Sequence, residues 1–331
     1  MKALVAQELT GPAGLAYTDV DDVTADDAVV IDVGAAGVCF PDLLMLRGEY
    51  QLKVPAPFVP GLEVAGTVRS APDGSGLVAG QRVSAFSLLG AWAERVAVPV
   101  GSVVPTNDAL DDGSAVCLLG NYYTMHFALQ RRGALQPGET VLVLGSGGGV
   151  GTAAVQIAKA LGAKVIAMVH RPSAVEFVES LGADVVLPLT DGWLDAVKSE
   201  TGGRGVDVVV DPIGGAAFDD AIRALATEGR LLVIGFAAGG IPTVKVNRLL
   251  LRNASVVGVG WGEFVNRTPG AQAQVGAALA ALVDQGLRPP EPLRFSLSDG
   301  VAALQAFADG EINGKLVLEP DERLRKEQVV R

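Results

Sequence analysis

Apolar residues fall along this chain in two rhythms. Up to about residue 120 they come in short runs, "DAVVIDVGAAGV", "LEVAGTVRSA", "QRVSAFSL" and "ERVAVPV", separated by turns rich in Gly and Pro. Such runs predict a compact β-rich domain. From about residue 121 the rhythm changes. "TVLVLG" leads into a helical spacing of Val150, Ala153, Ala154, Ile157 and Leu161, and then into "AKVIAMV". The helical "SAVEFVESLG", the strand "GVDVVVD", a helical stretch near 216 to 227, and the strands "RLLVIG" and "SVVGVG" follow. Apolar strands alternating with amphipathic helices predict βαβ units and a parallel sheet covered on both faces. Residues 121–261 therefore read as a doubly wound α/β domain. Beyond them, a helical "AQAQVGAALAALVDQG" and a strand-like "GKLVLEP" either complete that sheet or return to the first domain. The pattern leaves both open.

Size agrees with two cores: the 331 residues are 49% hydrophobic, enough to fill two domains of ordinary size. A formal charge of −11 argues against a nucleic-acid partner, which needs clustered Lys and Arg. The closing "ERLRKEQVVR" is mixed in sign and reads as a solvated tail. Two cysteines, Cys39 and Cys117, build neither a disulfide framework nor a four-thiolate zinc lobe, which suggests a reducing compartment. The N-terminal apolar run is too short for a secretion signal, and none elsewhere spans a membrane. A cytoplasmic protein is expected.

Chemistry enters at "GSGGGVG", residues 145 to 151, between a strand and a helix. The spacing is Gly145-x-x-Gly148-x-x-Gly151. Glycines here permit a tight turn, close approach of backbone to a pyrophosphate and close helix packing, while the helix start offers N–H groups to the anion. In this context the loop predicts dinucleotide binding. At the end of the next strand an NAD site usually places an acid on the ribose. The chain instead reads "MVHRPSAVEF", where Arg171 and Ser173 suit a 2′-phosphate, so NADPH is the expected cofactor. Ser173 with Glu176 also fits a capping box for the next helix.

These residues, with "PFVPGLEVAGTV", "NYYTMHFALQ", "LGADVVL", "TGGRGVDVVVDPIGG", "GRLLVIGFAAG" and "GKLVLEP", make the chain resemble the zinc-independent quinone oxidoreductases of the medium-chain dehydrogenase/reductase superfamily. "GVCFPDLLMLRGEY" and "LLLRNASVVGVGWGEF" look closest to the branch holding acrylyl-CoA reductase-like proteins. The resemblance implies a GroES-like catalytic domain from residues 1–120 and 262–331, and a Rossmann domain over 121–261, with the active site in the cleft. It also implies a homodimer, with "SVVGV" as a candidate pairing edge. Besides Gly145, Gly148 and Gly151, the cofactor residues it implies include Ser146, Gly149, Val150, Gly235 and Phe236. Asn121 and Thr124 line the nicotinamide pocket on this reading, although Asn121 also suits a helix N-cap. Lys315 completes the set.

Departures from the family bear on the chemistry. Cys39 stands where relatives carry Asn, Leu189 where they often have Tyr, and Ala174 where a Lys grips the 2′-phosphate, which leaves Arg171 as its substitute. The related zinc enzymes draw metal ligands from positions matching Cys39, Leu62 and Gly120, of which Cys39 alone is a donor. His126 and His170 fall in a predicted helix and at a strand end, and Cys117 reads as core. No catalytic zinc is expected. Without a Lewis acid the acceptor must be electrophilic by its own conjugation. The leading expectation is NADPH-dependent reduction of quinones. Reduction of an activated C=C bond in an enone, enal or enoyl thioester such as acrylyl-CoA is the alternative, and a non-catalytic NADPH-binding protein is a third. Tyr50, Asp42 and Cys39 are the candidate catalytic residues, with Arg47 nearby, while Glu63 is expected to pair internally.

Overall fold

A computed structural model of the chain describes residues 1–321, and the "ERLRKEQVVR" tail lies outside the described residues. The chain divides into two compact units, Met1–Gly120 with the chain from Pro289 onward, and Asn121–Arg288.

The first unit opens with β1 (Lys2–Ala6) paired to β2 (Leu15–Asp19). There follow β3 (Val29–Val38), α1 (Phe40–Leu46), β4 (Glu63–Ser70), β5 (Arg82–Phe86), β6 (Arg95–Val98), β7 (Val103–Pro105) and α2 (Asp112–Cys117). The second unit runs through α3 (Tyr123–His126), β8 (Thr140–Val143), α4 (Gly149–Ala160), β9 (Lys164–Val169), α5 (Val175–Ser180), β10 (Val185–Pro188) and α6 (Trp193–Glu200). It continues with β11 (Val206–Asp211), α7 (Phe218–Ala224), β12 (Leu225–Val233), α8 (Val246–Arg252), β13 (Ser255–Gly258), α9 (Trp261–Arg267) and α10 (Ala271–Asp284). The chain then returns to the first unit as β14 (Leu293–Ser296), α11 (Gly300–Ala308) and β15 (Leu316–Glu319).

In the first unit β14-β15-β3-β4-β5-β7 form one sheet, and β6 also pairs with β3. Inward-facing Ile31, Val38, Val64, Val96, Leu316 and Leu318 pack with Leu4, Leu46 and Trp92 into its core. β3 runs antiparallel to both β15 and β4, with Val38 opposite Leu316 and Gly37 opposite Glu63. The end of β3 and the starts of β15 and β4 therefore meet at one place.

In the second unit the strand order is β10-β9-β8-β11-β12-β13, all parallel. Chain direction across the sheet reverses between β8 and β11, the point at which doubly wound sheets place their ligands. Leu142, Ile166, Met168, Val209 and Leu231 form the core with Ile222 and Phe218. The βαβ reading of 121–261 is thus realised.

The later boundary differs from expectation, falling after Arg288 instead of at 261/262. α10 buries Ala271, Val275, Leu279 and Val283 and packs on α3 and α9, so its apolar stripe covers the second unit. The helix expected over 216 to 227 stops at Ala224, where β12 begins. Among the described residues no helix is long and apolar enough to cross a membrane.

Candidate active site

Cys39 follows β3 and is the N-cap of α1. Its backbone N–H donates to Asp42 Oδ2 at 2.7 Å, the returning arm of a capping box. Asp42 has no exposed surface, and its Oδ1 has no hydrogen-bond partner. Burial, seconded by the Glu63 carboxylate, pushes Asp42 up to about 7 against the Cys39 N–H. Tyr50 is half-buried, and burial, with Asp42 and Cys39 nearby, raises its hydroxyl above the ordinary tyrosine value.

The strand ends bring two further charges to Cys39. Lys315, immediately before β15, donates from Nζ to Cys39 Sγ at 2.9 Å and to Glu63 Oε2 at 2.5 Å. Glu63, the first residue of β4, accepts the Gly120 N–H on Oε1 at 2.6 Å. Burial works against charge on Lys315, yet the Cys39 sulfur and the Glu63 carboxylate hold its ammonium above the ordinary lysine value. Burial and the Glu63 charge push the Cys39 thiol well up, with Lys315 opposing, so the sulfur stays protonated. Two glycines make the room. A Cβ on Gly37 would stand 2.4 Å from Glu63 Oε2, and one on Gly120 would stand 2.1 Å from Oε1 and 3.7 Å from Cys39 Sγ.

Positions 39 and 120 are therefore neighbours in space, as a ligand set demands, but the donors are missing and Lys315 bonds the one sulfur present. Among the described residues no group of three His, Cys, Asp or Glu side chains is placed to hold a metal ion. Cys117 is buried and donates to the Gly113 carbonyl at 3.1 Å, as a core residue does. His126 ends α3 and His170 follows β9. Lys53 donates to the Gly48 carbonyl at 2.6 Å.

In the second unit, the loop after β8 opens α4, with Gly148 as its N-cap. Gly145 has a φ of +64° and lies under Ile213, where only glycine is unstrained. Gly151 touches backbone, since a Cβ there would meet Gly145 O at 2.2 Å, while Gly148 faces open space with nothing nearer than 3.7 Å. Gly149 and Val150 are half-buried at the first turn of the helix, where backbone N–H groups have no intrahelical partner. Free backbone N–H groups at an uncrowded helix start are what an anionic pyrophosphate needs.

Ser146 departs from its expected role. Its hydroxyl donates to Val143 O and its N–H to Met168 O, both at 2.9 Å, so both donors serve the turn. Arg171 is half-buried in extended backbone, before a 3₁₀ turn over Pro172–Ala174. That turn displaces the expected capping box: Ala174, not Ser173, precedes α5, and no side chain caps it. Ser173 is exposed. Asn121 does not cap α3 either, because it lies within a π-turn over Leu118–Tyr122 and Tyr122 takes the cap position. Thr124 is half-buried in α3. Gly235 and Phe236 follow β12, with Phe236 partly exposed beside Gly214. Lys315 lies in the first unit, with its ammonium committed to Cys39 and Glu63.

Two participants were not legible as such. Asp211, at the end of β11, is buried and accepts the N–H groups of Ile213 and Gly214 at 2.9 and 2.8 Å, shaping the loop that rests on Gly145. Its other oxygen has no partner, and burial raises its pKa. An acid ending an apolar strand, followed by Pro and two Gly, was the available signal. The other is Lys315, whose contact with Cys39 spans 276 positions of sequence.

Residues 25–108 match the alcohol dehydrogenase GroES-like domain, and residues 149–277 match the family described as zinc-binding dehydrogenase. The chain belongs to the quinone oxidoreductase family of the medium-chain dehydrogenase/reductase superfamily. It is 39% identical to the quinone oxidoreductase-like protein 2 of Mus musculus, over 71% of this chain and 68% of that one. A probable oxidoreductase from Mycobacterium abscessus, known as a crystal structure, is 60% identical, with a TM-score of 0.91 over 97% of this chain and 99% of that one. The quinone oxidoreductase of Thermus thermophilus, also solved in complex with NADPH, is 32% identical, with a TM-score of 0.82 over 96% of this chain and 100% of that one.

Proposed function

We propose that the protein is an NADPH-dependent, zinc-independent reductase of quinones, acting in the cytoplasm as a homodimer. The observation that carries this reading is the Lys315 ammonium, bonded to Cys39 and Glu63 where related enzymes gather metal ligands. With no Lewis acid to polarise a plain carbonyl, the acceptor supplies its own electrophilicity, and a quinone does so by becoming aromatic.

NADPH supplies a hydride when bound. Gly148, Gly149 and Val150 would hold its pyrophosphate at the α4 start, and Arg171 its 2′-phosphate. Tyr50 directs a hydroxyl at the acceptor, and its raised pKa keeps that hydroxyl a donor throughout the neutral range. Cys39 is a second, weaker donor. Asp42 fixes the turn that carries both. β13, with one neighbour in its sheet, is the edge at which two copies pair.

The test is NADPH and NADH oxidation against a panel of quinones, enones and acrylyl-CoA, with metal analysis of the same sample. Quinone turnover with NADPH and no stoichiometric zinc is expected. Turnover of enones alone shifts the assignment to C=C reduction, and binding without turnover to a non-catalytic role. Tyr50→Phe is expected to lower kcat about tenfold, and an unchanged kcat with every acceptor removes Tyr50 from the reaction.

A further inference from the structure

Lys315 is 7% exposed and Glu63 is 2% exposed. A lysine so deeply placed is costly unless it is paired and fully bonded. Glu63 satisfies the charge, and its other oxygen is fixed by the Gly120 N–H. The ammonium is thereby locked, and it spends another of its three hydrogens on Cys39 Sγ. A thiol that accepts from an ammonium turns its single proton elsewhere, since an S–H aimed back at Nζ would oppose the lysine's own hydrogens. The capping box fixes the Cys39 backbone, so the sulfur is anchored from both sides.

We propose that Lys315 is a positioning residue for the acceptor: its ammonium, held by Glu63, orients the Cys39 thiol so that the S–H donates a hydrogen bond to an acceptor oxygen. This rests on the reductase reading above. The thiol donates a hydrogen bond and keeps its proton, and the ammonium contact polarises the S–H and makes it a better donor. A neutral-looking Cys in place of the family's Asn is therefore one half of a two-residue donor. The titratable groups around the sulfur are Lys315, Glu63 and Asp42.

The test is a double-mutant cycle on the full-length protein, with a quinone acceptor and saturating NADPH. Lys315→Met is expected to lower kcat about tenfold in the native background and less than twofold when Cys39→Ala is already present. Lys315→Arg is expected to restore at least half of kcat, and the Kd for NADPH to stay within twofold throughout. Equal losses in both backgrounds, or a weakened Kd for NADPH with unchanged kcat, overturn the inference. Should Lys315→Met fail to fold because Glu63 is stranded, Lys315→Met with Glu63→Gln removes both charges and enters the same cycle.

A second readout does not depend on turnover. Alkylation of Cys39 by iodoacetamide under mildly alkaline conditions, followed by peptide mass spectrometry, is expected to slow about tenfold in Lys315→Met, because the small thiolate fraction shrinks further without the cation. Unchanged alkylation with reductase activity intact overturns the role of Lys315. No turnover of any acceptor by the native protein overturns the reductase reading instead.

Discussion

Glu63 Oε1 accepts the backbone N–H of Gly120 at 2.6 Å, on the spot a side chain at 120 would occupy. The position where related enzymes carry a thiolate is thus closed to any side chain by the carboxylate that serves Lys315. Gly120→Ala is expected to reduce unfolding free energy by about 2 kcal/mol, through overpacking and loss of that bond. Urea denaturation measures it, and a midpoint equal to the native one refutes the contact.

The glycine loop separates packing from binding. Gly151→Ala puts a methyl 2.2 Å from Gly145 O and 2.5 Å from Ser146 Cα, both backbone. A loss of about 3 kcal/mol or more is expected. Gly148→Ala meets nothing closer than 3.7 Å. Its stability should stay within about 0.5 kcal/mol, while affinity for NADPH falls about tenfold because the methyl faces the anion. Thermal denaturation and cofactor titration of the two variants, side by side, check the contrast.

Arg171→Ala is expected to raise KM for NADPH about tenfold, the loss of one charge-assisted hydrogen bond, and to leave KM for NADH unchanged. Parallel steady-state assays decide it. A KM for NADPH that does not move removes Arg171 from the 2′-phosphate site.

Asp42 makes stability depend on pH. Its carboxyl titrates at about 7 in the folded chain and at about 4 when unfolded. The native state holds the proton over that interval and the unfolded state releases it. The contribution is full below about pH 4 and is lost as pH rises through about 7, by up to about 1.4 kcal/mol per pH unit. Asp42→Asn removes the slope, so the variant should gain on the native protein between about pH 5 and about pH 8. Denaturation at both pH values shows whether it does.

The parallel sheet was readable because β8, α4 and β9 each state their kind locally, through an apolar run, a glycine loop and a 3.6-residue spacing. The placement of α10 was not. Its stripe of Ala271, Val275, Leu279 and Val283 declares a buried face without declaring which unit covers it. Residues of the α1 turn were singled out by their match to a family motif, whereas Lys315 was assigned to the cofactor because a Gly-Lys pair carries no record of strand register. The pairings of Val38 with Leu316 and Gly37 with Glu63 are what bring the lysine to the sulfur. Ser146 poses the opposite difficulty, since a hydroxyl in a phosphate loop suits a ligand and a turn equally until its partners are seen.

β13 has a neighbour on one side only, so in a single chain the sheet stops at a row of backbone donors and acceptors. Were two copies to pair along that row, as proposed, folding would become a second-order event and the melting temperature would depend on dilution. A preparation that is sturdy as a concentrated stock would unravel sooner at the trace amounts used to follow turnover. Heat inactivation in the assay and melting in the stock would then give two different temperatures for the same molecule.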